Sequence, residues 1–443
     1  MSSSDIARQL GVSQPTVSRA LGASKNILRI GRTRRARYAL QRRLNDKDSS
    51  WNLYQIDKTG QAQVAATLHA LHQGEFYLEP KGNNEDYAYL LNGEDHPHLF
   101  PDLPWFLDDM RPQGYLGRLL AHTHGPTLRI GTNPENWNID EALTAILSHG
   151  NDTPGHFILG GQAIDTFLQA KSQSPFIDEA DRRRSYELIA HNISEGDDLP
   201  NSSAGGEQPK LTACIRTSDD RFRHVIVKFS GSLQTDAGRR WADLLKAEAI
   251  ASEELANIGL PSPLTEFVPT NQRTFLEVER FDRSGRHGRI PTLMLRTVLA
   301  GLGEPLDQSW TLSSQTLVQK SWLSQTDADH IATFDHFGRL IGNSDRHLGN
   351  LSLFLTPELP LKLCPIYDML PMRYAPQRTG DLPTRPIEVH PPRPEELPTW
   401  IPAAQAAQRF WSRFIAEAHL FSDLRKTAQK NLDAITSTLD SVA

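Results

Sequence analysis

Asp345, Asn350 and Asp368 are the residues whose types and spacing suit a defined chemistry. Asp345 and Asn350 lie five positions apart in Ile-Gly-Asn-Ser-Asp-Arg-His-Leu-Gly-Asn (341–350), and Asp368 closes Pro-Ile-Tyr-Asp (365–368). Phosphoryl transfer needs one carboxylate to receive the acceptor hydroxyl's proton, and separate oxygen ligands to hold magnesium against nucleotide phosphates. One short loop can supply both. Ordinary polar turns use the same Asn, Ser, Asp and Gly residues, so the spacing alone does not separate the two readings.

Protein kinases place a catalytic Asp and a metal-binding Asn at this spacing, with a second metal-binding Asp downstream. Such a site also needs a positioned cation. His224-Val-Ile-Val-Lys228-Phe229 has a strand pattern, with Lys228 set as a phosphate-contacting lysine would be, although an edge lysine looks the same. Next, Trp241, Leu244, Leu245, Ala251, Leu255 and Ile258 recur at helical spacing, and Glu248 falls within their apolar stripe. A carboxylate on a buried face costs on the order of 3 kcal/mol or more unless paired. Lys228 is its expected partner, and an edge-exposed glutamate is the alternative.

Asn-Ser-Ser-Ala-Gly-Gly-Glu-Gln-Pro-Lys (201–210) is a small-residue loop ending in a cation. Its paired glycines allow backbone N–H groups close to phosphate, though it lacks the Walker pattern and a plain hairpin turn would look alike. Phe-Leu-Glu-Val-Glu-Arg-Phe-Asp-Arg (275–283) reads as a strand running into a polar turn, where a kinase offers hinge backbone to adenine.

The whole chain of 443 residues carries a net charge of −6, with 38% hydrophobic residues. That length allows two or three domains. No apolar run approaches the roughly 18 residues of a membrane span, and no signal segment opens the chain, so a cytoplasmic location without membrane contact is expected. Cys214 and Cys364 form no C-x-x-C pair and are expected to be structural thiols.

Residues 1–45 hold ten Lys or Arg and one acid, Asp5, which is about +9 against about −15 for the remainder. A basic head on an acidic body points to a nucleic-acid-binding module, with a disordered basic arm as the bland alternative. Order within the head favours the first. Asp5 to Leu10 reads as a short helix capped near Ser4 or Asp5, Gly11 makes the turn, and Ser13 caps a second helix with Pro15 in its first turn. Val17, Ala20 and Leu21 share one face, leaving Gln14, Thr16, Ser18 and Arg19 to meet double-stranded DNA. The following apolar and basic run suggests a β-hairpin wing carrying Arg32, Arg34 and Arg35 to phosphates. Gly-Val-Ser-Gln-Pro-Thr-Val-Ser-Arg resembles the winged helix-turn-helix domains of bacterial regulators, although such domains carry a supporting helix before that of Asp5.

From residue 50 to 165 the sequence mixes short strand-like and turn-rich pieces without a chemical constellation. His96, His98, His122 and His124 read as surface histidines there. Beyond Asp368, residues 371–402 read as a long Pro-rich surface loop, and helical patterns resume from Ala403 to Leu439.

Taken in order, Ser-Ser-Ala-Gly-Gly-Glu-Gln-Pro-Lys, Val-Lys-Phe, Val-Glu-Arg-Phe-Asp-Arg, Gly-Asn-Ser-Asp-Arg-His-Leu-Gly-Asn and Pro-Ile-Tyr-Asp resemble the HipA family of bacterial serine/threonine kinase toxins. The basic head is similar to that of its YjjJ-like (HipH-like) branch. The resemblance implies an α+β fold: a two-lobed, protein-kinase-like body with a helical C-terminal lobe, and a winged helix-turn-helix head. Expected units are 1–45 (head), 50–165 (N-terminal subdomain), 166–285 (nucleotide-binding lobe) and 286–443 (helical catalytic lobe).

The resemblance further implies ATP and Mg2+ as cofactors. The ATP pocket would use Gly205, Gly206, Glu207, Gln208, Pro209, Lys210, Lys228, Glu279, Arg280, Phe281, His347, Leu348, Gly349, Asn350, Tyr367 and Asp368. Asp345 would be the base, aided by Lys228 and Glu248, and Asn350 and Asp368 would hold magnesium. Ser203, or else Ser202, matches the family's autophosphorylated loop serine. Implied partners are a host protein substrate such as a translation factor or aminoacyl-tRNA synthetase, and a HipB-like antitoxin. Here the loop has Pro209, which removes a backbone donor, and the DNA-binding unit is fused in cis. Two other readings stand beside this one: a DNA-binding regulator whose kinase-like body senses a nucleotide or partner, and a small-molecule phosphotransferase.

Overall fold

The computed structural model of the chain describes residues 1–24, 26–31, 36–81, 90, 98–173, 176–195, 208–377, 379–417 and 420–442. Two short helices come first, α1 (Ser3–Leu10) and α2 (Gln14–Ala23). Ser2, rather than Ser4 or Asp5, caps α1. Its hydroxyl accepts from the Asp5 N–H while the Asp5 carboxylate accepts from the Ser2 N–H, a capping box. Gly11 ends α1 at φ +64°, and Ser13 caps α2 with Pro15 in the first turn. A hairpin of β1 (Ile27–Ile30) and β2 (Arg37–Leu40) follows, while Arg32, Arg34 and Arg35 lie outside the described residues. Of the apolar face expected on α2, Val17 is buried, Leu21 half-buried and Ala20 exposed. Gln14, Thr16 and Arg19 are exposed, and Ser18 is half-buried.

The strand-like pieces after residue 50 assemble into one antiparallel sheet: β3 (Ser50–Ile56), β4 (Ala62–Ala70), β5 (Phe76–Pro80), β6 (Leu99–Phe100) and β7 (Phe157–Leu159), in the order β6-β5-β4-β3-β7. A register shift at Leu53/Tyr54 breaks the alternation, which hides the strand pattern from a reading by period. Helices α3 (Gly114–Leu128) and α4 (Ile139–His149) precede β7. After it, α5 (Gly161–Gln173) buries Ala163, Ile164 and Phe167 against Ile56 and Ile158 of this sheet.

A second sheet orders β8 (Ile177–Asp178), β9 (Lys210–Arg216), β10 (Phe222–Phe229), β11 (Thr265–Pro269) and β12 (Thr274–Glu279) as β11-β12-β10-β9-β8. Strand period two gives it two faces. Val225, Val227 and Phe229 pack with Tyr186 and Ala190 of α6 (Arg182–Glu195), while Leu276 and Val278 pack with Leu245 and Ala249 of α7 (Asp236–Asn257). Lys228 pairs in register with Leu276 and so faces α7.

A short hairpin of β13 (Arg283–Ser284) with β14 (Gly288–Arg289) leads into the helical region, which also holds a three-stranded sheet of β15 (Thr292–Met294), β16 (Ser352–Phe354) and β17 (Lys362–Leu363). Its helices are α8 (Leu295–Gly301), α9 (Trp310–Gln319), α10 (Gln325–Ile341), α11 (Leu397–Ala416) and α12 (Ser422–Val442). Residues 371–402 are not the free surface loop expected. Tyr374 and Ile387 are buried, and Arg240 donates to the carbonyls of Tyr374 and Pro383 (3.0 Å each), laying the segment over the lobe. Helix α11 starts at Leu397, earlier than expected, because Pro398 sits in a first turn where no N–H is needed. Among the described residues no helix is long and apolar enough to cross a membrane.

One buried carboxylate joins the first sheet's domain to this helical region. Asp109 accepts from the Met294 N–H (2.7 Å) and from the Thr297 hydroxyl at the start of α8. It has no cationic partner within ion-pair distance among the described residues, and burial, opposed by those two hydrogen bonds, pushes its pKa up to about 6. Asp109 therefore favours folding fully below the ordinary carboxylate value of about 4, and this contribution is lost as pH rises through about 6. The stability of wild type relative to Asp109→Asn, read from urea midpoints, is expected to fall between about pH 4 and pH 7. A pH-independent difference would contradict the assignment.

Candidate functional site

Lys228 stands where two folding units meet. Its ammonium, 4% exposed as a residue, donates to Glu248 Oε1 of α7 (2.5 Å) and to Asp368 Oδ1. The partner expected from the apolar stripe is the partner found. Burial lowers the Lys228 pKa, but Asp368 and Glu248 outweigh it and hold the ammonium above its ordinary value. Burial raises the Asp368 carboxyl, yet Lys228 and then Lys210 more than offset this. Lys210 lies across from Lys228 in the β9–β10 register and supplies a second positive charge to the group. Glu248 goes up through burial and the nearby Asp368, with Lys228 opposing, and its Oε2 is buried without a hydrogen bond among the described residues.

The loop carrying Asp345 begins where Gly342 ends α10 in the left-handed region (φ +78°). Two indoles fix its approach: Trp411 Nε1 donates to Leu340 O and Trp310 Nε1 to His347 O (3.0 Å each). Inside the loop, fully buried Asn343 accepts from the Asp345 N–H (3.0 Å) and donates to Asp368 O (3.2 Å). Asn350 Nδ2 donates to Asp345 O (2.8 Å), leaving its amide oxygen as the group free to act as a ligand. Asp368 itself has φ +55°, a backbone conformation that non-glycine residues keep only where surrounding contacts enforce it.

These groups border one cavity of 330 Å³. Gln208, Lys210, Lys228, Asp345, Asn350 and Asp368 line it, as do His347, Gly349 and Tyr367. Asp345 as a residue is exposed, yet its carboxyl belongs to the cavity wall. Partial burial raises its pKa, His347 opposes the shift and Asp368 adds to it. A carboxylate so tuned is suited to accept a proton from a neutral hydroxyl. Tyr367 donates its hydroxyl proton to Gly349 O (2.6 Å), fixing one wall.

Not every expected residue joins this wall. Leu348 is buried in the core, and Pro209 lends its carbonyl to the Phe229 N–H (3.0 Å). The N–H groups of Glu279 and Arg280 are taken by the carbonyls of Leu264 and His224 (2.9 and 2.8 Å). The Arg280 side chain turns away from the cavity to Asp152 and Asp282, because those two carboxylates offset the cost of burying its charge. Phe281 reaches the wall only through its ring against Tyr367, centroids 5.8 Å apart. Ser202, Ser203, Gly205, Gly206 and Glu207 lie outside the described residues.

Other lining residues carried no sequence signal. Gln113, Gly114 and Tyr115 come from the start of α3, and Met294 and Arg296 from the start of α8. Asn343 sits inside the motif, and its role was readable only as part of that motif. The donor set fits a magnesium-bound nucleotide: Asp368 and Asn350 offer hard oxygens beside two lysines. Among the described residues no three His, Cys, Asp or Glu are grouped to hold a metal.

The family model of the YjjJ-like toxin middle domain matches residues 47–168, and that of the HipA-like C-terminal domain matches residues 202–441. Toxin YjjJ of Escherichia coli (strain K12) is 32% identical over 446 aligned positions, covering 100% of this chain and 96% of that protein. Among solved structures, the HipA toxin–antitoxin complex of Shewanella oneidensis MR-1 with HipB and operator DNA aligns with a TM-score of 0.55 at 15% identity. That alignment covers 88% of this chain and 97% of that one, a likeness of fold. Cavity, loop and matched domains agree, and the chain belongs to the HipA-like toxin family, in its YjjJ-like branch.

Proposed function

We propose that the chain is an ATP- and magnesium-dependent serine/threonine protein kinase that arrests growth by phosphorylating a host protein. The observation that carries the reading is Lys228 shared by Glu248 and Asp368 on the wall of the cavity that also holds Asp345 and Asn350. A kinase uses the same Lys–Glu pair to hold nucleotide phosphates. An inert remnant would have no need to keep three buried or half-buried charges together, since replacing such groups by apolar ones is often neutral or stabilising.

Magnesium, held by Asp368 and Asn350, would neutralise charge on the phosphates. Lys228 and Lys210 orient those phosphates, and Asp345 takes the proton of the acceptor hydroxyl. Ser203, or else Ser202, is the proposed autophosphorylation site in the loop before Gln208. A dianion added there is the proposed off-switch, ejecting the loop from the pocket.

For the head, we propose a winged helix-turn-helix that binds double-stranded DNA through Gln14, Thr16, Ser18 and Arg19 of α2 and through Arg32, Arg34 and Arg35. The Shewanella relative was solved with HipB and operator DNA, and a HipB-like antitoxin is a further proposed partner here. The exposure of Gln14, Thr16 and Arg19 supports the DNA reading.

Incubation with labelled ATP, magnesium and cell lysate is expected to label a host protein and, by peptide mapping, Ser203 or Ser202. Asp345→Ala should abolish both while nucleotide binding survives. Equal labelling by the variant would contradict the role of Asp345. On a random-sequence duplex, Arg19→Ala is expected to lower the slope of log affinity against log salt by about one unit, as for loss of one phosphate contact. An unchanged slope would remove Arg19 from the interface.

A further inference from the structure

We propose that a second cavity, separate from the one holding Asp345, is a binding site for a small phosphate-bearing anion. It measures 380 Å³, within the roughly 300–1,000 Å³ of ligand pockets, and lies where α5, the β9–β10 face and the turns after β12 meet. Arg280, Arg283, Arg286 and Arg289 line it together with Asp152 and His224.

The charges do not balance. Arg280 pairs with Asp152 and Asp282 at 3.0 Å each, and Arg283 pairs with the same two carboxylates at 2.7 Å each. Those four charges cancel, which leaves Arg286 and Arg289 over. Arg289 is 2% exposed, and among the described residues its guanidinium donates only to carbonyls, those of Phe157 (3.4 Å) and Asn151. Burial and then the neighbouring Arg283 disfavour its charge, yet arginine does not surrender its proton in proteins. Asp152 and Asp282 favour that charge from further off, but both are already paired with Arg280 and Arg283, so a counter-anion from outside the chain would complete the balance.

Arg286 stands exposed at the mouth, its guanidinium against the rings of Phe222 (4.8 Å) and Phe176 (5.5 Å), with no acidic partner within ion-pair distance among the described residues. Burial lowers the pKa of both His224 and His287, so neither adds charge at neutral pH. The surplus is therefore two positive charges, one deep and one at the rim. A dianionic phosphate matches that surplus and accepts the planar guanidinium donors, whereas a single carboxylate leaves one charge unmatched.

The test is calorimetric titration of the full chain with inorganic phosphate, at constant ionic strength in chloride, without magnesium and without nucleotide, which would itself carry phosphate into the second cavity. One-site binding is expected, weakened at least about tenfold in Arg286→Ala. Because Arg286 is exposed, that variant keeps the fold, and it decides the matter should Arg289→Met fail to fold. A parallel titration with AMP separates the sources: tighter binding than phosphate assigns a nucleotide monophosphate, equal binding assigns free phosphate. No binding by wild type, or equal affinity in Arg286→Ala, would overturn the proposal.

Discussion

A single ammonium shared by two carboxylates is the interaction around which the molecule is arranged. Lys228 lies on a strand, Glu248 on the helix covering the sheet face that Lys228 points to, and Asp368 on a segment from the helical region. Neither Lys228 nor Glu248 tolerates burial alone, since removing one partner of a buried pair leaves an uncompensated charge worth about 3–5 kcal/mol. The apolar stripe of α7 must therefore seat with Glu248 facing Lys228, and Asp368 must stay in its left-handed backbone conformation to reach the same ammonium. The sheet, its covering helix and the helical region are held in one register by that requirement.

A second requirement is that the Asp345 loop meet this charge cluster. Asn343 answers it by bonding both the Asp345 N–H and the Asp368 carbonyl, which ties the two backbones together. The domain of the first sheet completes the cavity from the other side. Asp109 fixes the start of α8, which carries Met294 and Arg296, and the start of α3 supplies Gln113 to Tyr115. The cavity is thus walled by three units.

Legibility in the sequence followed the range of the contacts. The Lys228–Glu248 pair was readable because a carboxylate within an apolar stripe demands a cation, and the Asp345–Asn350 spacing lies within one loop. The caps at Gly11 and Ser13 were readable for the same local reason. Contacts set by distant partners were not. The orientation of Arg280 depends on Asp152 in another unit, and the lining residues of α3 and α8 follow from docking. Local rules also misled where context reversed them: the prolines near residue 398 suggested a loop, yet a first-turn proline suits a helix, and the bulge in β4, opposite Leu53 and Tyr54, disguised a regular sheet.

We propose that Asp368 is held by Lys228 until a cation and the phosphates it accompanies draw it away. Equilibrium binding of ATP, measured with and without magnesium for wild type and Asp368→Asn, tests this most directly. Wild type is expected to bind more tightly with magnesium, and the variant to lose most of that gain while still binding ATP without the metal. An undiminished magnesium gain in Asp368→Asn would contradict the account.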